Sequence, residues 1–161
     1  MVESNNRLVE DELGIENVFV DTFRHSLDAK KRLTIPSEWR ALVGKPERLF
    51  VLPSTSEACL TVFPAREMAR RLRKMQDLSI VDAESQNHAR MLASHANLVP
   101  WDAQGRIRIK DDLLSYAQLE EGVVLVGMFT WFELWSPKEW EQKQPTLSRP
   151  LLGDAARSVG L

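Results

Sequence analysis

The sequence predicts an α+β fold, mainly β, assembled from two similar half-domains, and three observations point to it. The chain repeats itself: Ser26-Leu-Asp-Ala-Lys-Lys-Arg-Leu-Thr-Ile35 is echoed by Pro100-Trp-Asp-Ala-Gln-Gly-Arg-Ile-Arg-Ile109, so Asp28, Ala29, Arg32 and Ile35 each return 74 residues later. A repeat of that length is too long for a solenoid unit and too short for an ordinary domain, which leaves two halves that complete each other. Each copy also runs through the same order: a polar turn, a short β-like stretch, an amphipathic helical stretch and two apolar runs. Finally, 161 residues at 43% hydrophobic and 27% charged make one ordinary globular domain with a full core.

The elements follow in order. Residues 1–16 are acidic and aperiodic and read as a mobile tail. The first repeat, 17–63, opens with Val18–Phe23 and Arg32–Ile35 as strands around the turn Asp28–Lys31. Pro36 ends the ladder and suits a first helical turn, after which Trp39, Leu42 and Val43 share a face of a helix over Ser37–Val43. Arg48–Leu52 and Cys59–Phe63 are short buried strands. A helical connector, 64–96, follows. Its first helix (64–76) carries Ala65, Met68, Ala69, Leu72 and Met75 as one apolar stripe, and after a break near 77–79 a second helix covers roughly Asp82–Ser94. The second repeat, 97–141, has the strand Arg106–Ile109, a helix over Asp112–Leu119 with Asp111 placed to cap it, and the strands Val123–Gly127 and Phe132–Trp135. The stretch 142–161, with Pro145, Pro150 and two glycines, reads as a loose end.

Several function classes are set aside at once. No apolar run approaches the ~20 residues of a membrane span, and the N-terminus lacks a secretory signal. A single cysteine, Cys59, rules out an intramolecular disulfide framework and suits a reducing compartment, so a cytoplasmic protein is expected. His25, His88 and His95 lack the partners of a metal site, and no Gly-rich phosphate loop, nucleophile elbow or paired-His zinc motif occurs. No enzyme, cofactor, metal or small-molecule substrate is expected. Cys59 and most of Trp39, Trp101, Trp131, Trp135 and Trp140 read as core or interface, with Trp101 the most exposed.

The net charge of -2 is unevenly spread. Residues 1–21 hold six acidic groups against Arg7, whereas Arg24 to Arg48 holds seven basic groups against three acidic ones. An acidic start beside a basic body leaves anion binding open.

The repeated unit is an Asp, three residues, then an Arg at the threshold of a strand. An Asp opening a turn accepts hydrogen bonds from backbone amides one or two residues on and fixes the loop. The Arg then presents a planar five-donor fork to a phosphate or a guanine edge. The competing reading is a local Asp–Arg bridge that only braces a hairpin. Lys30 and Lys31 beside Arg32 make three successive cations, which a brace does not require, so the first loop is the stronger anion site. The second copy has Gln104 and Gly105 there. Gly105 permits a left-handed backbone; Lys31 at the matching position implies either some strain or a turn that needs no positive φ. A catalytic pair of Asp28 and Asp102 is disfavoured, because both loops carry cations and lack the small residues that let such carboxylates approach.

Leu27–Pro36 with Trp39-Arg40, then Asp102–Ile109 with Leu119–Gly127 and Phe132–Trp135, resemble the two signatures of the MraZ proteins over roughly residues 18–141. The resemblance implies two AbrB-like halves forming a pseudo-twofold swapped-hairpin β-barrel with flanking helices. It implies a bacterial, nucleoid-associated transcriptional regulator that assembles into rings and binds short direct repeats in double-stranded DNA upstream of a division and cell-wall operon. By that resemblance Arg32 and Arg106 contact DNA. Lys30, Lys31 and Arg24 are expected to support Arg32; Asp28, Asp102 and Gly105 are expected to fix the loops, and the Asp102–Arg106 copy to do more for the fold or the ring. Lys31 replaces the usual glycine, Lys110 a frequent proline and Leu114 a frequent arginine, and the acidic N-terminal extension is not typical. The alternative is a protein-interaction module, antitoxin-like or an assembly subunit.

Overall fold

The computed structural model describes residues 18–43, 48–75 and 82–161. Along them run β1 (Thr22–Ser26), β2 (Arg32–Thr34), α1 (Ser37–Val43), β3 (Leu49–Pro53), β4 (Leu60–Pro64), α2 (Ala65–Met75), α3 (Ala83–His95), β5 (Asn97–Val99), β6 (Arg106–Arg108), α4 (Asp111–Tyr116), β7 (Gly122–Gly127), β8 (Phe132–Trp135), α5 (Pro137–Lys143) and α6 (Arg149–Ser158). The mixed fold is as the sequence predicts, and the second half retraces the first, β1-β2-α1-β3-β4-α2 against β5-β6-α4-β7-β8-α5.

Every strand pair is antiparallel, and most pairs cross between halves. One sheet has the order β1-β7-β8-β4-β3-β5; a separate two-stranded ribbon joins β2 to β6. Exchanging each strand for its repeat partner turns the sheet order into its own reverse. β1 pairs with β7 as β5 pairs with β3, while β4–β8 and β2–β6 lie on the pseudo-twofold axis. In the ribbon the equivalent residues Leu33 and Ile107 face each other directly. The ladders stay open: β1 and β5 are free edges of the sheet, and among the described residues no closed barrel forms.

Apolar residues explain why the layers meet. Leu33, Ile35, Ile107 and Ile109 alternate inward from the ribbon and join Leu49, Val51, Leu60, Val62, Val123, Leu125 and Leu134 of the sheet in one fully buried core. Trp39 closes that core at 1% exposure, packed edge-on against Phe19 and Phe23 at 5.4 and 5.2 Å and tilted on Phe132 at 4.9 Å, and its Nε1–H donates to the Val20 carbonyl at 2.9 Å. A smaller cluster of Cys59, Val124, Val126, Trp135 and Trp140 forms beneath α5.

Four local expectations need correction. The opening strand is Thr22–Ser26 rather than Val18–Phe23: Asp21 sits at φ 77°, which breaks the extended run and leaves Phe19 only an isolated bridge to Phe129. Lys110 rather than Asp111 occupies the cap position of α4, and Asp111 is in the first turn. That helix ends at Tyr116, because Gln118 turns to φ 55°. The C-terminal stretch is not loose throughout. Ser148 caps α6 by accepting from the Leu151 amide at 3.2 Å, and Pro150 fits the first turn, where a missing N–H costs nothing. The helix over 83–95 has its cap at Asp82, which accepts from the Glu84 amide at 3.1 Å, while the break near 77–79 lies outside the described residues.

Candidate nucleic-acid interface

Each repeated turn is built by one aspartate. Asp28 Oδ1 accepts from the amides of Lys30 (2.9 Å) and Arg32 (2.8 Å), and its Oδ2 takes the Arg32 Nε–H at 2.7 Å. Asp102 does the same with Gln104 (2.9 Å), Arg106 (2.9 Å) and Arg106 Nε (2.7 Å). The backbone closes both turns identically: Lys31 N–H to the Asp28 carbonyl at 2.9 Å, and Gly105 N–H to that of Asp102 at 3.0 Å. The closing residue is left-handed in both, Lys31 at φ 57° and Gly105 at φ 74°. The turn therefore needs a positive φ, and Lys31 adopts it against the preference of a residue with a Cβ.

Backbone amides, above all that of the motif arginine, hold Asp28 and Asp102 below the usual carboxylate range, with the guanidinium adding to it. Two anionic carboxylates, each tied to its own arginine, lack the shared proton of a catalytic pair. Both brace and exposure are present at once. The side chains of Arg32 and Arg106 keep 31% and 27% of their surface, and each gives only its Nε edge to its own aspartate. The Nη1 of Arg106 also lies 3.9 Å from Asp28 Oδ2, which ties the two loops together electrostatically.

The ribbon register assembles the rest. Arg32 faces Arg108 and Thr34 faces Arg106, with Leu33 and Ile107 pointing the other way into the core. Three arginines thus share the ribbon's outer face. Arg108 was not anticipated from the motif, because it belongs to the face only through pairing with the other half. Its Nη2 reaches Asp111 at 2.9 Å, and it also donates to the Ile109 carbonyl. Asp111 receives Lys31 Nζ as well, at 3.3 Å, so Lys31 is engaged in an exposed ion pair rather than held out alone; both cations keep the Asp111 carboxyl low. Lys30 is exposed beside the ribbon. Arg24 is not brought to it: it alternates with Phe23 and His25 on β1 and takes that strand's exposed face. His25 instead braces the ribbon, donating Nδ1–H to the Thr34 carbonyl at 2.6 Å. Gly105 is buried beneath Arg40, whose Nη1 donates to the Gln104 carbonyl at 3.0 Å.

Comparison with known proteins bears on this geometry. The family model of the MraZ protein, described as antitoxin-like, matches residues 92–160. A transcriptional regulator MraZ from Thermomicrobium roseum is 34% identical over 132 residues, covering 81% of this chain and 90% of that protein. One from Halothermothrix orenii is 33% identical over 76% of this chain and 84% of its own length. Another, from Lactiplantibacillus plantarum, is 34% identical over 78% and 86% respectively.

Proposed function

The chain belongs to the MraZ family of bacterial transcriptional regulators, and from that membership we propose that it binds double-stranded DNA through the outer face of the β2–β6 ribbon. The observation that carries this is the convergence of Arg32, Arg106 and Arg108 on one solvent-facing strip flanked by two aspartate-pinned loops. A two-stranded ribbon fits the major groove, and planar guanidinium groups match both phosphates and the O6/N7 edge of guanine. Arg32 and Arg106 are the principal contacts, Lys30 and Lys31 supply further charge, and Arg24 meets flanking phosphate if the duplex wraps past β1. Asp28, Asp102 and Gly105 shape the loops and do not touch DNA.

One ribbon offers few cations, so useful affinity needs several copies engaging successive short direct repeats, in the control region of a division and cell-wall operon. A ring of copies meets that need. Exposed apolar side chains are available for its contacts: Met91 and Leu92 on α3 and Leu151 and Leu152 on α6. The exchange of strands between halves supports a swapped-hairpin reading of the fold. A nucleoid location in the cytoplasm accompanies this function, which requires no catalysis.

The test is a gel shift with the DNA upstream of this gene. Arg32→Ala is expected to abolish the shift while circular dichroism and oligomer size stay unchanged. Retained binding by that variant discards the assignment.

A further inference from the structure

The two loops share a backbone but are held by different partners. Loop 2 is clamped by Arg40, which reaches across from α1 of the other half. Its Nη1 holds the Gln104 carbonyl at 3.0 Å, and its side chain fills the space beside Gly105 so closely that a Cβ there would stand 2.3 Å from Arg40 Cδ. The Gly105 carbonyl also accepts from the Ile35 amide at 2.9 Å. Glycine is thus required twice, by φ 74° and by the arginine lying against it.

At the matching positions of loop 1 stand Lys31 for Gly105 and Leu114 for Arg40. Leu114 is buried and has no side-chain donor. The place a clamp would fill belongs instead to a half-open cavity of about 590 Å³, lined by Lys31, Asp111, Leu114, Ser115, Gln118 and Leu119 among others. At loop 1 the ties across the halves are two loose charge contacts that salt screens, the exposed Lys31–Asp111 pair at 3.3 Å and Arg106 Nη1 at 3.9 Å from Asp28 Oδ2, with the Leu27 amide donating to the Glu121 carbonyl at 2.8 Å where the loop begins. The amide-to-carbonyl bond from Ile35 to Gly105 has no counterpart from Ile109 to Lys31.

We propose that Arg40 is a positioning residue: it locks loop 2 so that Arg106 is presented to DNA in one geometry, while loop 1 remains the adaptable of the two. This rests on the ribbon being the DNA interface. A fixed fork selects its base or phosphate partner at less ordering cost than one on a loose loop. Arg40 and Gly105 form one unit, and the chain shows the alternative unit itself in Leu114 and Lys31.

The experiment uses the full chain as Arg40→Leu, Arg40→Lys, Gly105→Ala, the double variant R40L/G105A and Arg106→Ala. It reads affinity for an upstream DNA duplex across a salt series, and amide hydrogen exchange over 101–107 and 27–33. Arg40→Leu installs the residue that already stands at the equivalent place, so folding is expected. It should weaken DNA binding about tenfold, in keeping with loss of one charge-assisted hydrogen bond and the order it imposes. The salt slope should be unchanged, and exchange should accelerate over 101–107 but not over 27–33. Arg40→Lys keeps the charge without the planar fork and should stay impaired. Gly105→Ala should be severe alone and cost clearly less on top of Arg40→Leu, where the clash is relieved and only the positive φ still opposes the alanine. Full binding by Arg40→Lys, with Arg40→Leu lowering the salt slope by about one, would mean direct phosphate contact and overturn the proposal. Unchanged exchange over 101–107 in Arg40→Leu overturns it too, as does normal affinity in that variant when Arg106→Ala has lost binding. Normal binding by both Arg106→Ala and Arg32→Ala sinks the underlying DNA reading, whatever exchange does.

Discussion

Asp28 and Asp102 show how a single side chain can set a loop. Each satisfies two amides with one oxygen and an arginine with the other, and those bonds depress its pKa below the ordinary 3.8. A depressed carboxylate contributes stability that is complete above its unfolded pKa and lost as pH falls through the folded one. Exchange protection of the two loops should therefore stay flat from neutral pH to about pH 5 and drop only below the ordinary carboxylate range. Glu133 behaves the opposite way. Burial raises its pKa, although it accepts from Trp135 Nε1 at 3.1 Å, so between the unfolded and folded values the native state holds the extra proton and stability declines as pH rises. Glu133→Gln, which keeps the acceptor, is expected to raise Tm at pH 7 and to lose that advantage near pH 4. Beside it Cys59 is pushed up to about 12 by burial, so it should resist alkylation in the native protein and react only on unfolding. The aspartate–arginine unit was legible in the sequence because all its bonds lie within five residues. Arg108, Arg40 and His25 were not, since each gains its role from a partner on another strand or in the other half.

At the scale of elements, legibility followed the strength of the local pattern. The apolar runs at β3, β4, β7 and β8 and the Pro-led helix at α1 were readable from alternation and punctuation. The three-residue β5 carries no pattern long enough to detect, and Pro150 looks like a breaker until Ser148 is seen capping the helix it begins. That cap is testable: Ser148→Ala should cost α6 about 1 kcal/mol and show as faster exchange confined to 149–158. The ribbon depends on its inward residues. Leu33 is fully buried opposite Ile107, so Leu33→Ala should lower global stability by roughly 2–5 kcal/mol in urea unfolding. Because the ribbon pairs with no strand of the six-stranded sheet, that loss should release β2 and β6 first.

For the whole molecule, the pseudo-twofold arrangement makes each half depend on the other. Each half contributes strands whose partners are in the other, so neither has a complete sheet of its own. The duplication was legible, but among the described residues the expected barrel does not close, because the strand order leaves β1 and β5 as two open edges. If several copies engage DNA together, affinity should fall steeply with ionic strength, and diluting the protein until the assembly dissociates should weaken binding more than loss of one ribbon cation. Sedimentation and gel-shift titrations on the same samples would check that coupling. The fusion of the halves has a further consequence. Two identical half-length chains could not place lysine in one loop and glycine in its twin, since every mutation would strike both. Joined on a single chain, the copies are released from that constraint: one loop can keep its sequence while the other changes, and if the ribbon binds DNA as proposed, the regulator can alter half of that contact at a time.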